Sequence, residues 1–253
     1  NALLVINNQV NSNQWFACPK PNPKAETRLF FFPYAGGAPS AFHKWCKELP
    51  DNIEALIVHY PGRGSRYKEP PIKKLYILVE NIYQAIQPFL DKPFAFFGHS
   101  MGGIIAFELA QVLKQNNSPQ PIALFMSACG APHIPNPNQP IHSLSDIEFL
   151  QSVKDLNGTP SEILNQPELM QLLLLTLRAD FELIETYQFA STSPINCPIF
   201  AFGGLDDPRV SRERIEAWAI HTNSYFEANF FEGDHFFINT AKESVTQQIL
   251  SSL

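Results

Sequence analysis

Phe94-Ala95-Phe96-Phe97-Gly98-His99-Ser100-Met101-Gly102-Gly103 runs from a wholly apolar segment into the first turn of an amphipathic one. Residues 93–98 read as a buried strand. Residues 102–114, with Ile104, Ile105, Phe107, Leu109, Val112 and Leu113, read as a helix. Between them lies Gly98-x-Ser100-x-Gly102. A serine at the tip of so sharp a strand-to-helix turn sits in a strained backbone, with its hydroxyl exposed. Side chains two residues to either side would collide, which is why both positions carry glycine. The same turn aims the Met101 N–H and the positive end of the new helix at whatever the serine attacks. With 12 glycines in 253 residues, chance placement gives roughly 0.04 matches to this pattern, so an accidental glycine-rich turn is a poor explanation. Ser100 is the candidate nucleophile. His99, beside it, points elsewhere and reads as a supporting residue.

The rest of the chain repeats the alternation. Residues 28–34, 53–60, 121–128, 198–202 and 225–231 are short apolar runs, and 40–49 and 75–90 carry apolar residues at helical spacing. Strands apolar on both faces, with helices between them, predict a mostly parallel sheet covered on both sides. Residues 1–26, rich in Asn and Pro, are expected to form an extended lead-in, and 27–253 a single domain. From 131 to 193 no strand pattern appears. Pro132, Pro135, Pro137 and Pro140 lead into a helical stretch that is expected to insert as a lid.

A serine hydroxyl is a weak nucleophile until a base, oriented by an acid, draws off its proton. On an α/β-hydrolase fold these follow in the order Ser, acid, His, each after a later strand. Of seven histidines, only His235 follows the last strand, in Gly233-Asp234-His235-Phe236-Phe237. The acid lies in Gly203-Gly204-Leu205-Asp206-Asp207-Pro208, where Asp206 and Asp207 compete. Asp207 is favoured because Pro208 fixes the turn after it and Val210 can tuck into the core. Asp234 reads as surface. The first strand ends in Phe32-Pro33-Tyr34-Ala35-Gly36-Gly37, and the Ala35 N–H is the candidate second donor to an oxyanion.

Composition narrows the class. Net charge is −6, with 45% hydrophobic and 17% charged residues, so neither nucleic-acid binding nor disorder is expected. Arg63, Arg66, Lys68, Lys73 and Lys74 read as a solvated loop. The four cysteines are scattered without metal-ligand spacing, and no metal or bound cofactor is expected. No apolar run reaches the ~18 residues of a membrane span, and no signal peptide is visible. A reduced, cytoplasmic setting is expected.

The chain resembles the type II thioesterases that accompany non-ribosomal peptide and polyketide synthases. The resemblance begins at Trp15, Pro21, Pro23 and Arg28-Leu29 and runs through the first-strand loop, Tyr60-Pro61-Gly62-Arg63-Gly64 and the nucleophile turn. It continues through Ala131-Pro132-His133, Leu177-Arg178-Ala179-Asp180 with Glu185 and Tyr187, Gly203-Gly204 with Asp207-Pro208, and Gly233 with His235-Phe236-Phe237. It implies a Ser100–His235–Asp207 triad, oxyanion donors at Ala35 and Met101, and removal of acyl groups from the phosphopantetheine thiol of carrier proteins by a monomeric, free-standing enzyme. On this reading Gly36, Met170 and Phe236 contact substrate, and Tyr34 is either a further contact or a strand-end aromatic. Ile163, Leu164, Leu169, Met170, Leu172 and Leu173 are candidate walls of an acyl pocket, although ordinary helix packing would account for any one of them; Arg178 and Asp180 could pair with each other structurally and are assigned no chemistry. The motifs for an acyltransferase or a chain-releasing, cyclising thioesterase are the same. A catalytically silent carrier-binding module is disfavoured by the intact triad residues, and a general carboxylesterase by the narrower motifs.

Overall fold

Every residue of the strands Ile53–Val58 and Phe94–His99 is buried, a pattern that only a sheet covered on both faces can satisfy. The computed structural model, which describes residues 12–155 and 165–253, has that arrangement. In chain order the elements are α1 (Ser12–Trp15), β1 (Phe16–Ala17), β2 (Thr27–Phe32), α2 (Ser40–Lys47), β3 (Ile53–Val58), α3 (Leu75–Ile86), β4 (Phe94–His99) and α4 (Met101–Gln115). There follow β5 (Leu124–Ser127), α5 (Asp146–Asp155), α6 (Pro167–Glu185), β6 (Ile199–Gly204), α7 (Arg212–Glu216), β7 (Phe226–Phe231), α8 (Phe237–Thr240) and α9 (Lys242–Ser252). The strands form one sheet in the order β1-β3-β2-β4-β5-β6-β7, parallel except for β1. This is the α/β-hydrolase architecture.

The pleat divides the core into two layers. Phe30, Phe32, Phe94 and Phe96 pack with Leu78 and Ile82 of α3 and Ile105 and Leu109 of α4. Their neighbours Leu29, Phe31 and Phe97 face the other way, onto Phe42 and Trp45 of α2 and Val245 and Ile249 of α9. Strand register sets the site. Phe32 lies beside Gly98, His99 beside Ser127, and Phe231 beside Gly204, so the loops after β2, β4, β6 and β7 leave from one edge of the sheet.

Three expectations need correcting. The 1–26 segment is not wholly an extended lead-in: Phe16 and Ala17 pair antiparallel with Val58 and Ile57, and Trp15 is buried. β7 is not apolar on both faces. It is an edge strand, and every residue in it is half-buried. Arg63 and Arg66 are buried rather than solvated; Arg66 stacks on Trp15 with its guanidinium 4.1 Å from the ring centroid and pairs with Glu69.

Between β5 and β6 the described residues form α5, α6 and irregular chain, with no strand. Ile141, Phe149, Val153, Leu177 and Phe181 make a small apolar cluster of their own, and Ala35 packs against it. That cluster seats the helical insertion over the loop after β2. Among the described residues no helix is long and apolar enough to cross a membrane, and Cys46, Cys129 and Cys197 are unpaired and buried, packed as small hydrophobes.

Candidate active site

Ser100 sits at φ 55°, ψ −120°, a conformation that few non-glycine residues adopt. The flanking backbone accounts for it. A Cβ on Gly98 would lie 2.3 Å from the Gly102 carbonyl oxygen, and one on Gly102 would lie 1.9 Å from that of Phe32. The Ser100 N–H donates to the Ser127 carbonyl at 2.7 Å, which pins the turn to β5. The hydroxyl is thereby presented at the N-terminus of the 15-residue helix α4.

The histidine and acid predicted from sequence come to the same place. The Ser100 Oγ lies 3.0 Å from His235 Nε2, and His235 Nδ1 lies 2.8 Å from Asp207 Oδ2. A carboxylate can only accept, so Nδ1 carries the ring proton and Nε2 offers its lone pair to the serine hydroxyl. Asp207 is almost wholly enclosed, its side chain 1% exposed. Its other oxygen, Oδ1, accepts the N–H groups of Arg209 at 2.7 Å and Val210 at 3.3 Å. Asp206 is exposed and touches neither His235 nor Ser100; its N–H donates to the Gly233 carbonyl. Asp234 turns away too, accepting the Phe236 N–H at 2.8 Å.

His99 holds His235 from behind. Its Nε2 lies 2.8 Å from the His235 carbonyl and its Nδ1 2.8 Å from the Ser127 Oγ. Full burial, with His235 nearby, pushes its pKa well below the ordinary range. The neutral ring therefore donates from Nε2 and accepts the Ser127 hydroxyl at Nδ1.

Among the described residues the N–H groups of Ala35 and Met101 have no hydrogen-bond partner, which leaves both able to donate to a bound group. The Gly36 N–H is engaged, donating to Asp180 Oδ2 at 2.7 Å. Beside these groups opens a cavity of about 370 Å³ that Ser100, Met101, Ala35, Tyr34, His235 and Phe236 line. The Tyr34 ring packs edge-on against Phe236, with centroids 5.0 Å apart.

The deeper walls differ from those expected. Gly36 and Met170 do not line the cavity; Met170 is buried elsewhere, and Leu169 and Leu172 lie on the exposed face of α6. Ile163 and Leu164 lie outside the described residues. The walls come instead from Leu177, Phe181 and Ile184, further along α6, with Val153 of α5. Their i, i+4, i+7 spacing puts the three on one face of the helix, but spacing alone does not say which face turns inward. Arg178 and Asp180 do not pair with each other. Two residues apart, they project from different sides of α6: Arg178 binds Asp146 and the carbonyls of His142 and Leu144, whereas Asp180 meets Arg63.

Comparison with known proteins agrees with this geometry. The thioesterase domain family matches residues 27–253. The chain is 42% identical over 241 residues to the gramicidin S biosynthesis protein GrsT of Aneurinibacillus migulanus, covering 95% of this chain and 94% of that protein. It is 40% identical over 247 residues to a Brevibacillus parabrevis protein named linear gramicidin dehydrogenase LgrE, covering 96% of this chain and 94% of that one. A solved structure of BorB, the type II thioesterase from the borrelidin biosynthetic cluster, superposes with a TM-score of 0.88 at 31% identity, over 96% of this chain and 98% of the other. The serine-bearing turn, the sheet that presents it and these likenesses agree: this chain belongs to the thioesterase domain family and is a thioesterase of the serine hydrolase class.

Proposed function

We propose that this enzyme hydrolyses acyl groups from the phosphopantetheine thiol of carrier proteins, as the editing thioesterase of a non-ribosomal peptide or polyketide assembly line. The observation that carries the proposal is the continuous relay from Asp207 through His235 to Ser100, opening on a cavity with two unoccupied backbone donors. The likeness to GrsT and BorB, whose names attach them to gramicidin S and borrelidin biosynthesis, supports the assembly-line setting.

In the first half-reaction His235 Nε2 takes the Ser100 proton as Oγ adds to the thioester carbonyl. Negative charge develops on the carbonyl oxygen, where the Ala35 and Met101 N–H groups and the positive end of α4 stabilise it. Collapse breaks the C–S bond, and the imidazolium returns its proton to the departing thiolate. In the second, His235 deprotonates water, which attacks the Ser100 ester. Acid leaves, and the serine recovers its proton. The residues that supply this chemistry are all in the chain, the substrate brings its own phosphopantetheine arm, and the setting is cytoplasmic.

The name dehydrogenase is not carried across from LgrE. The chain contains no G-x-G-x-x-G sequence, the turn that seats a dinucleotide pyrophosphate at a helix N-terminus, and its sharpest strand-to-helix turn holds a strained serine instead. The test is incubation with acyl-loaded carrier protein in ¹⁸O-labelled water, followed by mass spectrometry. The expected products are carrier with its bare thiol arm and free acid carrying one ¹⁸O. An acyl group delivered to an amine or alcohol, or a carrier left loaded while simple esters are cleaved, would overturn the assignment.

A further inference from the structure

Two stretches that carry the family resemblance, Pro61-Gly62-Arg63-Gly64 and Leu177-Arg178-Ala179-Asp180, meet at one buried ion pair. Arg63 Nη2 donates to Asp180 Oδ1 at 2.8 Å, and Nη1 donates to Oδ2. Both side chains are sealed from water, at 5% and 2% exposure. Oδ2 has a second donor, the Gly36 N–H. One carboxylate therefore joins three pieces of chain: the lid helix α6, the loop after β3, and the loop that carries Ala35.

The surroundings hold this joint still. Arg63 also donates to the Pro61 carbonyl, and its guanidinium lies 5.2 Å from the centroid of the Tyr60 ring. The Tyr60 hydroxyl donates to the Pro33 carbonyl at 3.0 Å, and Thr176 Oγ1 donates to that of Gly62 at 2.8 Å. Gly36 adopts φ +76°, and a Cβ there would meet Leu177 Cδ2 at 2.6 Å. The loop after β2 is thus pressed against α6, although Gly36 and Gly37 in succession give it little stiffness of its own.

A buried ion pair is a weak source of stability, because desolvating two charges offsets most of their attraction. Its value here lies in where it puts the loop. We infer that Asp180, held by Arg63, is a positioning residue: by fixing the Gly36 N–H it sets the peptide next to the Ala35 donor, and so makes oxyanion stabilisation depend on a docked lid helix. An oxyanion donor displaced by about 1 Å loses on the order of 10²-fold in rate. The inference rests on the acyl-transfer reading of Ser100.

Two double variants isolate the contact. Arg63→Leu with Asp180→Asn, and Arg63→Leu with Asp180→Leu, both abolish the ion pair, but only the Asp180→Asn exchange keeps a side-chain oxygen that can accept the Gly36 N–H. For each, kcat is measured per serine titrated with a fluorophosphonate, together with KM for the thioester. The double variant carrying Asp180→Leu is expected to be about 10- to 100-fold slower per titrated serine than the one carrying Asp180→Asn, with KM nearly the same. Equal kcat values per titrated serine would overturn the inference and leave the pair a purely structural contact. A second readout needs no variant: the Gly36 amide of the wild-type protein should exchange slowly with deuterium, and exchange at the rate of a free loop amide would also overturn it. Failure of the wild-type enzyme to hydrolyse acyl carrier protein, or to be labelled at Ser100, would instead refute the functional reading.

Discussion

Asp207→Asn is the exchange whose consequence follows most directly from the hydrogen bonds. Asp207 Oδ1 accepts two backbone N–H groups, from Arg209 and Val210, so the oxygen of an asparagine is held on that side. Its NH₂ group then replaces Oδ2, 2.8 Å from His235 Nδ1. A donor facing Nδ1 forces the ring into the tautomer whose proton sits on Nε2, pointing at the Ser100 Oγ. The base is lost with the geometry nearly intact, and the imidazolium loses the carboxylate that stabilises it. The same exchange in serine proteases lowers kcat by about 10⁴, equivalent to about 5 kcal/mol of transition-state stabilisation. Here kcat for a thioester at pH 7.5 should fall by a similar factor. Asp206→Asn, one residue away on the exposed side of the turn, should stay within about twofold. A ranking in the opposite order, or an Asp207→Asn enzyme that retains a tenth of its turnover, would refute the reasoning.

Ser100→Ala should lower turnover by about 10⁶ with no loss of secondary structure by circular dichroism; substantial residual turnover would place the nucleophile elsewhere. Phe181→Ala enlarges the wall of the cavity beside Leu177 and should shift the preference in kcat/KM toward longer or bulkier acyl groups by roughly 10-fold, whereas an unchanged chain-length profile would mean that the acyl group lies elsewhere. Burial lowers the His221 pKa to about 4, with His133 Nδ1 only 2.8 Å from its Nε2, and burial lowers His99 as well. Groups depressed in the folded state take up protons first in the unfolded chain, so stability present above pH ~6.5 should be lost as the pH falls toward 4. Urea midpoints at pH 7.5 and 5.0 should show that loss, and His221→Asn should reduce it; midpoints independent of pH and of the substitution would contradict the assignment.

The central strand, its turn and the following helix were legible because their determinants are local. A buried apolar run, two glycines spaced around a serine and an amphipathic helix leave little choice of backbone. That His235 and Asp207 would meet Ser100 could be proposed because topology orders them: each had to follow a particular strand, and few titratable residues stood there. The choice between Asp206 and Asp207 turned on Pro208 and Val210, and the structure has Val210 buried with its N–H on Asp207. The Arg63–Asp180 contact was not legible. Its partners are 117 residues apart, and an exposed basic loop and a buried arginine look alike in sequence. The cavity walls were missed for a related reason. Leu169 and Leu172 are as apolar as Leu177 and Phe181, and only the seat of α6 on Phe149 and Val153 decides which face of that helix turns inward. The pairing of Phe16 and Ala17 with β3 involves too short a segment to show any periodicity.

The relay from Asp207 to Ser100 is tested most directly by covalent capture. The enzyme is treated with a fluorophosphonate, the adduct is mapped by peptide mass spectrometry, and the hydrolysis of acyl carrier protein is followed on the same samples. A single adduct on Ser100, with carrier hydrolysis falling in proportion to labelling and neither effect in Ser100→Ala, is the predicted result. Complete labelling that leaves carrier hydrolysis intact, or an adduct on another residue, would contradict it.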